Sequence, residues 1–120
     1  MTAARLHLII AGVFGACGVA LMAAGAHLAG GNAATAGLML VLHAGAVIGL
    51  TVARRTGLIA NRTGRIAISL LILGVAIFSA DLALRAFDLG RLFPLAAPLG
   101  GSLTIAGWLA TTAAALIRRI

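Results

Sequence analysis

The sequence predicts an all-α fold, an integral-membrane four-helix bundle whose four transmembrane helices are joined by short loops. Two observations carry that reading. Hydrophobic residues make up 62% of the chain and charged ones only 9%, too few to cover the surface of a water-soluble domain of this size. The charges are also segregated: all nine cationic side chains are Arg, and they fall at the edges of the apolar runs. A bilayer imposes that layout, because charge is costly in hydrocarbon. Asp81 is the single acid inside a long apolar run, in a chain with neither Glu nor Lys.

A spanning helix needs roughly 20 apolar residues. Residues 6–27 supply the first, preceded by Arg5, and residues 34–53 the second, ending at Arg54-Arg55. Residues 66–87 follow Arg65 and carry Asp81 and Arg85 in their last turns, and residues 100–117 end at Arg118-Arg119. The connections are residues 28–33 with Gly30-Gly31-Asn32, a basic loop at 54–65, and residues 88–99. Gly, Asn and Pro mark these breaks because they favour turn geometry and extend a helix poorly. Residues 1–120 read as one domain without an apparent internal repeat. The first run also imitates a secretory signal, with Ala24-Gly25-Ala26 as a cleavage-like site. It is long enough to span, and we read it as retained.

With four spans, both termini and the basic loop share a side. Seven of the nine Arg lie there (Arg5, Arg54, Arg55, Arg62, Arg65, Arg118, Arg119), against Arg85 and Arg91 opposite. The positive-inside rule then places both termini in the cytoplasm, with the protein in the inner membrane. The formal charge of +7 is read as interfacial Arg facing anionic lipid headgroups rather than nucleic acid, since no basic stretch is interleaved with exposed aromatics. The lone Cys17 excludes a disulfide within the chain.

Four polar residues are candidates for burial: His27, His43, Asp81 and Arg85. Asp81, Arg85 and Asp88 share a helical face by spacing, so an ion pair near the outer end of span three is expected. A proton or cation site is the other reading. His27 lies on the stripe of Ala16, Ala20 and Ala24, which predicts that it faces protein. His43 lies near mid-membrane, where an imidazole needs a hydrogen-bond partner. In a hairpin the two His are offset by roughly 10 Å along the normal, too far to share a metal within one chain. His7 is expected at the interface.

For helix packing the candidates are Gly25, Gly45, Gly49, Gly100, Gly101, Gly107 and Trp108. Gly45 and Gly49 form a GxxxG, and Ala106, Ala110 and Ala114 a comparable stripe. Trp108 is too deep for an interfacial belt, so it should pack or reach a buried acceptor.

Gly25-Ala26-His27-Leu28, His43, Gly74 with Phe78-Ser79, Pro98-Leu99-Gly100-Gly101 and Gly107-Trp108 recur here in an order that resembles the domain of unknown function 423 family, over about residues 5–117. The resemblance implies four membrane spans and assigns no biochemical activity. The chain departs from the family pattern in having no Tyr ahead of His43 or after Ser79.

With no nucleophile–base constellation to assemble, neither catalysis nor an intrinsic cofactor is expected. The predicted role is a structural or accessory module packing in the membrane plane, with the bilayer and a homo-oligomer or larger membrane complex as partners. The alternative is a small-solute or ion transporter or channel.

Overall fold

Long runs of Ala, Leu, Ile and Val leave the backbone one way to satisfy its N–H and C=O groups without water, and the chain takes it. The computed structural model describes residues 1–117, with Ala29 described by its backbone alone. Arg118 and Arg119, expected to close the fourth span, lie outside the described residues. Helix α1 is Ala3–Ala24 and continues as a π-helical turn over Gly25–Ala29. Helix α2 is Gly31–Arg55, α3 Asn61–Ala86 and α4 Ala96–Leu116. All four are long and apolar enough to cross a membrane. The protein is a multi-pass, all-helical membrane bundle.

The helices outrun the apolar segments. α2 begins at Gly31 rather than 34, and α3 at Asn61 rather than 66. Hydropathy marks the depth of hydrocarbon, while a helix continues through Asn, Arg and Thr into the interface. One non-helical residue, Gly30, therefore separates α1 from α2. Its φ of 72° and ψ of −153° belong to a region that only glycine occupies without strain. The α3–α4 connection is longer and turns through positive φ at Asp88, Gly90 and Leu95.

Each helix packs on its sequence neighbour, and α1 also grazes α3. α2 and α3 are the more buried pair, with α1 and α4 on the flanks. Phe14, Leu40, Ala44 and Val75 form one apolar cluster, and Ala11, Val47 and Ile68 a second. The outer faces carry Ile9, Val13 and Val19 on α1 and Ile105 and Leu109 on α4, all exposed as a lipid-facing surface requires.

Glycine sets the spacing inside each hairpin. A Cβ on Gly37 would lie 2.6 Å from both Gly18 O and Met22 N. In the second hairpin, a Cβ on Gly100 would meet Phe78 N at 2.6 Å and Gly74 O at 2.7 Å. Another contact falls three residues before the first glycine and seven after its partner in both hairpins: Gly15 with Ala44, and Leu71 with Gly107. The two hairpins thus use one packing device at matching positions, a correspondence that residue identities conceal.

Three of the candidate packing glycines sit at close contacts. Gly25 faces Ala34 N, Gly100 faces Phe78, and Gly107 faces Leu71. Gly45, Gly49 and Gly101 have nothing within 4 Å of where a Cβ would stand. Their place among the packing residues is corrected for the single chain: the α2 GxxxG faces outward, because α2 turns its other sides to α1 and α3.

Gly37→Val should lower the thermal unfolding temperature in detergent markedly, overpacking against fixed backbone costing about 1–3 kcal/mol. Gly101→Val, a matched change in open space, should stay near wild type. Equal effects would show that the glycine contacts do not set hairpin stability.

Candidate functional site

The last turns of α3 hold the chain's one deeply buried acid. Asp81 is 1% exposed. Its Oδ2 lies 3.2 Å from Nη2 of Arg85, one helical turn further on. Its Oδ1 accepts the Leu92 backbone N–H at 2.9 Å. Both oxygens are thus engaged, and the second bond ties the α3–α4 connection back across the end of α3. Arg85 remains 31% exposed, so its guanidinium reaches from the buried carboxylate toward the interface. Asp88 does not join this face. α3 ends at Ala86, the chain turns through a φ of 57° at Asp88, and that side chain is exposed.

Further along the bundle, His43 joins α2 to α4. Indole is only a donor, so Trp108 Nε1–H gives its hydrogen bond to His43 Nε2, at 3.2 Å. Nε2 must then carry a lone pair, and Nδ1–H donates to Met39 O at 2.8 Å. The two contacts together fix a neutral imidazole in one tautomer. The rings are tilted by 57° with centroids 5.7 Å apart. Trp108 itself is 44% exposed: one edge of the indole binds His43 and the rest faces outward. Between α3 and α2, the Ser79 hydroxyl donates to Ala36 O at 3.2 Å. Thr104 donates to Gly100 O at 2.8 Å within α4.

His27 is exposed, which corrects its assignment to the buried polar set. The inward face of α1 is His7, Ala11, Phe14 and Gly18, while Ala16 and Ala20 are exposed. The Ala16 and Ala20 stripe is small throughout, whereas the inward one mixes His7 and Phe14 with Ala11 and Gly18. The one bearing Gly18 permits the closer backbone approach and takes the contact with α2. His27 lies on the opposite side, in the π-helical turn.

At the other end of the bundle, sequence reasoning missed three buried polar groups, one of them Arg54 at 8% exposed. His7, expected at the interface, is 6% exposed, and Thr51 only 2%. His7 Nδ1 and Thr51 Oγ1 lack a hydrogen-bond partner among the described residues. The signal for His7 was present in its spacing with Ala11, Phe14 and Gly18. Thr51 gave none beyond its place in an apolar helix.

These groups are dispersed rather than convergent. Asp81 and Arg85 mark one end, His43 and Trp108 the interior, and His7 and Thr51 the opposite end. Among the described residues no group of three or more His, Cys, Asp or Glu comes together as a metal site. What the arrangement does chemically is join elements: connection to α3, α2 to α4, and α3 to α2.

Asp81→Asn should destabilise the protein by about 1–3 kcal/mol, since it removes a charge-assisted partner from Arg85 while an amide oxygen can still accept from Leu92. Asp81→Ala, which loses both bonds, should cost more. Thermal unfolding of the two variants in detergent checks the order. If Asn is as stable as wild type and Ala no worse, the carboxylate is not a structural tie.

A family model described as protein of unknown function (DUF423) matches residues 11–101. The match includes Gly25, His27, His43, Gly74, Ser79, Asp81 and Gly100, and it ends before Gly107-Trp108. No curated protein and no solved structure matches the chain. With about three quarters of its length inside that match, and with the four membrane-crossing helices that the resemblance implies, the chain belongs to the DUF423 family.

Proposed function

We propose that the protein is a non-catalytic packing or accessory module that acts through contacts in the membrane plane. The observation that carries this reading is how the polar groups at membrane depth are used. Asp81, His43, Ser79, Thr104 and Trp108 each bond within the bundle. A solute path needs polar groups free to exchange partners, whereas Asp81, His43, Ser79 and Trp108 are committed to holding helices and a loop, and Thr104 bonds within its own helix. The outward α2 face, by contrast, has Gly45 and Gly49 with open space above them. In lipid such a face permits close approach of another helix, where van der Waals packing substitutes for the hydrophobic effect. A second copy or a larger membrane complex fits it.

Native extraction followed by mass measurement tests the reading. The wild-type particle should exceed one chain in mass, through copies or co-purifying proteins. Gly45→Leu/Gly49→Leu should shift it toward the single chain while helicity and monomer stability persist. A lone chain showing saturable solute flux in liposomes would instead establish a transporter.

We further place the protein in the cytoplasmic membrane with both termini and the α2–α3 turn in the cytoplasm. Arg54, Arg55, Arg62 and Arg65 around that turn support it through the positive-inside rule. In a Cys17→Ser background, Ala60→Cys should stay unlabelled by an impermeant thiol reagent in intact cells and label after permeabilisation. Labelling before permeabilisation would invert the topology.

A further inference from the structure

The α2–α3 turn encloses a recess of about 730 Å³ lined by Arg54, Ala60, Asn61, Arg62 and Ile117, among others. Four features of it point to an anion. Arg54 is only 8% exposed, and its Nε has no partner among the described residues. Its one hydrogen bond there runs from Nη1 to the neutral Asn61 Oδ1, at 2.7 Å. Arg55, Arg62 and Arg65 surround the same turn, yet the chain's only two side-chain acids, Asp81 and Asp88, belong to the opposite end of the bundle. A buried guanidinium without a counter-charge is unfavourable unless something supplies one.

The second feature is the start of α3. This 26-residue helix begins after Ala60 with no side-chain cap among the described residues, so its leading N–H groups and the positive end of its dipole face the turn without a side-chain acceptor there. The third is how Arg54 is aimed. Gly64 has no side chain, and a Cβ there would come within 3.4 Å of Arg54 Cδ. The stem of Arg54 therefore lies over the first turn of α3, which brings its guanidinium to the same mouth as the uncapped N–H groups. The fourth is anchoring. Ala60 N–H donates to Ala114 O of α4 at 2.9 Å, and Ile59 is buried beneath Gly64, so the turn is held as a built shape.

We propose that this recess binds a phosphate group, with Arg54 and Arg62 as the cationic ligands and the first N–H groups of α3 as the donors. The phosphate can belong to an anionic lipid headgroup or to a soluble phosphate. A guanidinium fork beside a helix N-terminus matches the tetrahedral, multiply accepting oxygens of either.

The test uses the full chain, delipidated in a neutral detergent, with thermal unfolding as the readout. Inorganic phosphate is titrated against chloride at matched ionic strength, and phosphatidylglycerol is compared with phosphatidylcholine in mixed micelles. A saturable rise in Tm with inorganic phosphate assigns a soluble-phosphate site. A rise with phosphatidylglycerol alone assigns a lipid-headgroup site. Asn61→Asp is the decisive variant, because it places a carboxylate where Asn61 Oδ1 already accepts from Arg54. It should raise Tm without ligand and abolish the response. Arg62→Gln, at an exposed position, should keep the fold and weaken the response several-fold. No response to either phosphate source overturns the proposal. So does a response that Asn61→Asp and Arg62→Gln leave unchanged, since a general ionic effect would then account for it.

Discussion

Helices already in lipid gain little by burying apolar side chains against one another, because the hydrocarbon they leave is as apolar as the partner they meet. Association then depends on how closely backbones approach, and the paired glycines of the two hairpins set that distance. Gly18 with Gly37 and Gly74 with Gly100 bring main chains to separations that no side chain would allow. The remaining structure follows at a lower level of the hierarchy. Within a hairpin the join is backbone to backbone. Between hairpins it is made by larger side chains such as Leu40, Val47, Ile68 and Val75, with three side-chain hydrogen bonds among the described residues, Ser79 to Ala36, Trp108 to His43 and Arg54 to Asn61. The hairpins are thus the tighter units, and the seam between them is where polar groups add direction to packing that would otherwise tolerate sliding.

The sequence states the number of helices and their order plainly, because apolar run length is a direct record of bilayer thickness. Helix ends are less legible. Gly31 and Asn61 begin helices several residues before the hydrocarbon does, since leaving lipid does not end a helix. Faces are less legible still. GxxxG spacing marks a surface that permits approach and does not say whether a partner is present. Gly45 and Gly49 have that spacing and face outward, whereas Gly18 and Gly37 sit on different helices and show no local motif. The same ambiguity misplaced His27, because an alanine stripe and a glycine-bearing stripe compete for one contact.

Among the polar groups, the Asp81 to Arg85 pairing follows from i, i+4 spacing alone, but the second partner of Asp81 does not. Leu92 N–H is a backbone donor from a connection that turns through three positive-φ residues, and nothing in its side chain advertises the bond. A loop bonded to a buried acid is a consequence of path, which periodicity does not encode. The bond from His43 to Trp108 has the same character. Their separation of 65 residues is bridged only once α2, α3 and α4 have packed.

Charge is distributed between the two ends of the bundle in a way that makes them physically different. At one end Asp81 answers Arg85 inside the chain. At the other, Arg54 is as deeply buried as a core residue while its nearest hydrogen-bond partner is neutral. Two separate effects act on that second end. The surface potential of an anionic leaflet acts on its summed charge and fades over about 10 Å at 0.1 M salt. The recess acts through the Arg54 and Arg62 guanidinium groups and a few N–H groups at hydrogen-bonding range, where salt screens Arg54 weakly because it is buried. The first sets which side of a membrane the basic turn prefers and is indifferent to where individual Arg side chains point. The second depends on Arg54 lying over Gly64 and on α3 beginning without a cap. An Asp at position 61 would answer the Arg54 charge directly, whereas Asn61, its hydrogen-bond partner among the described residues, is neutral.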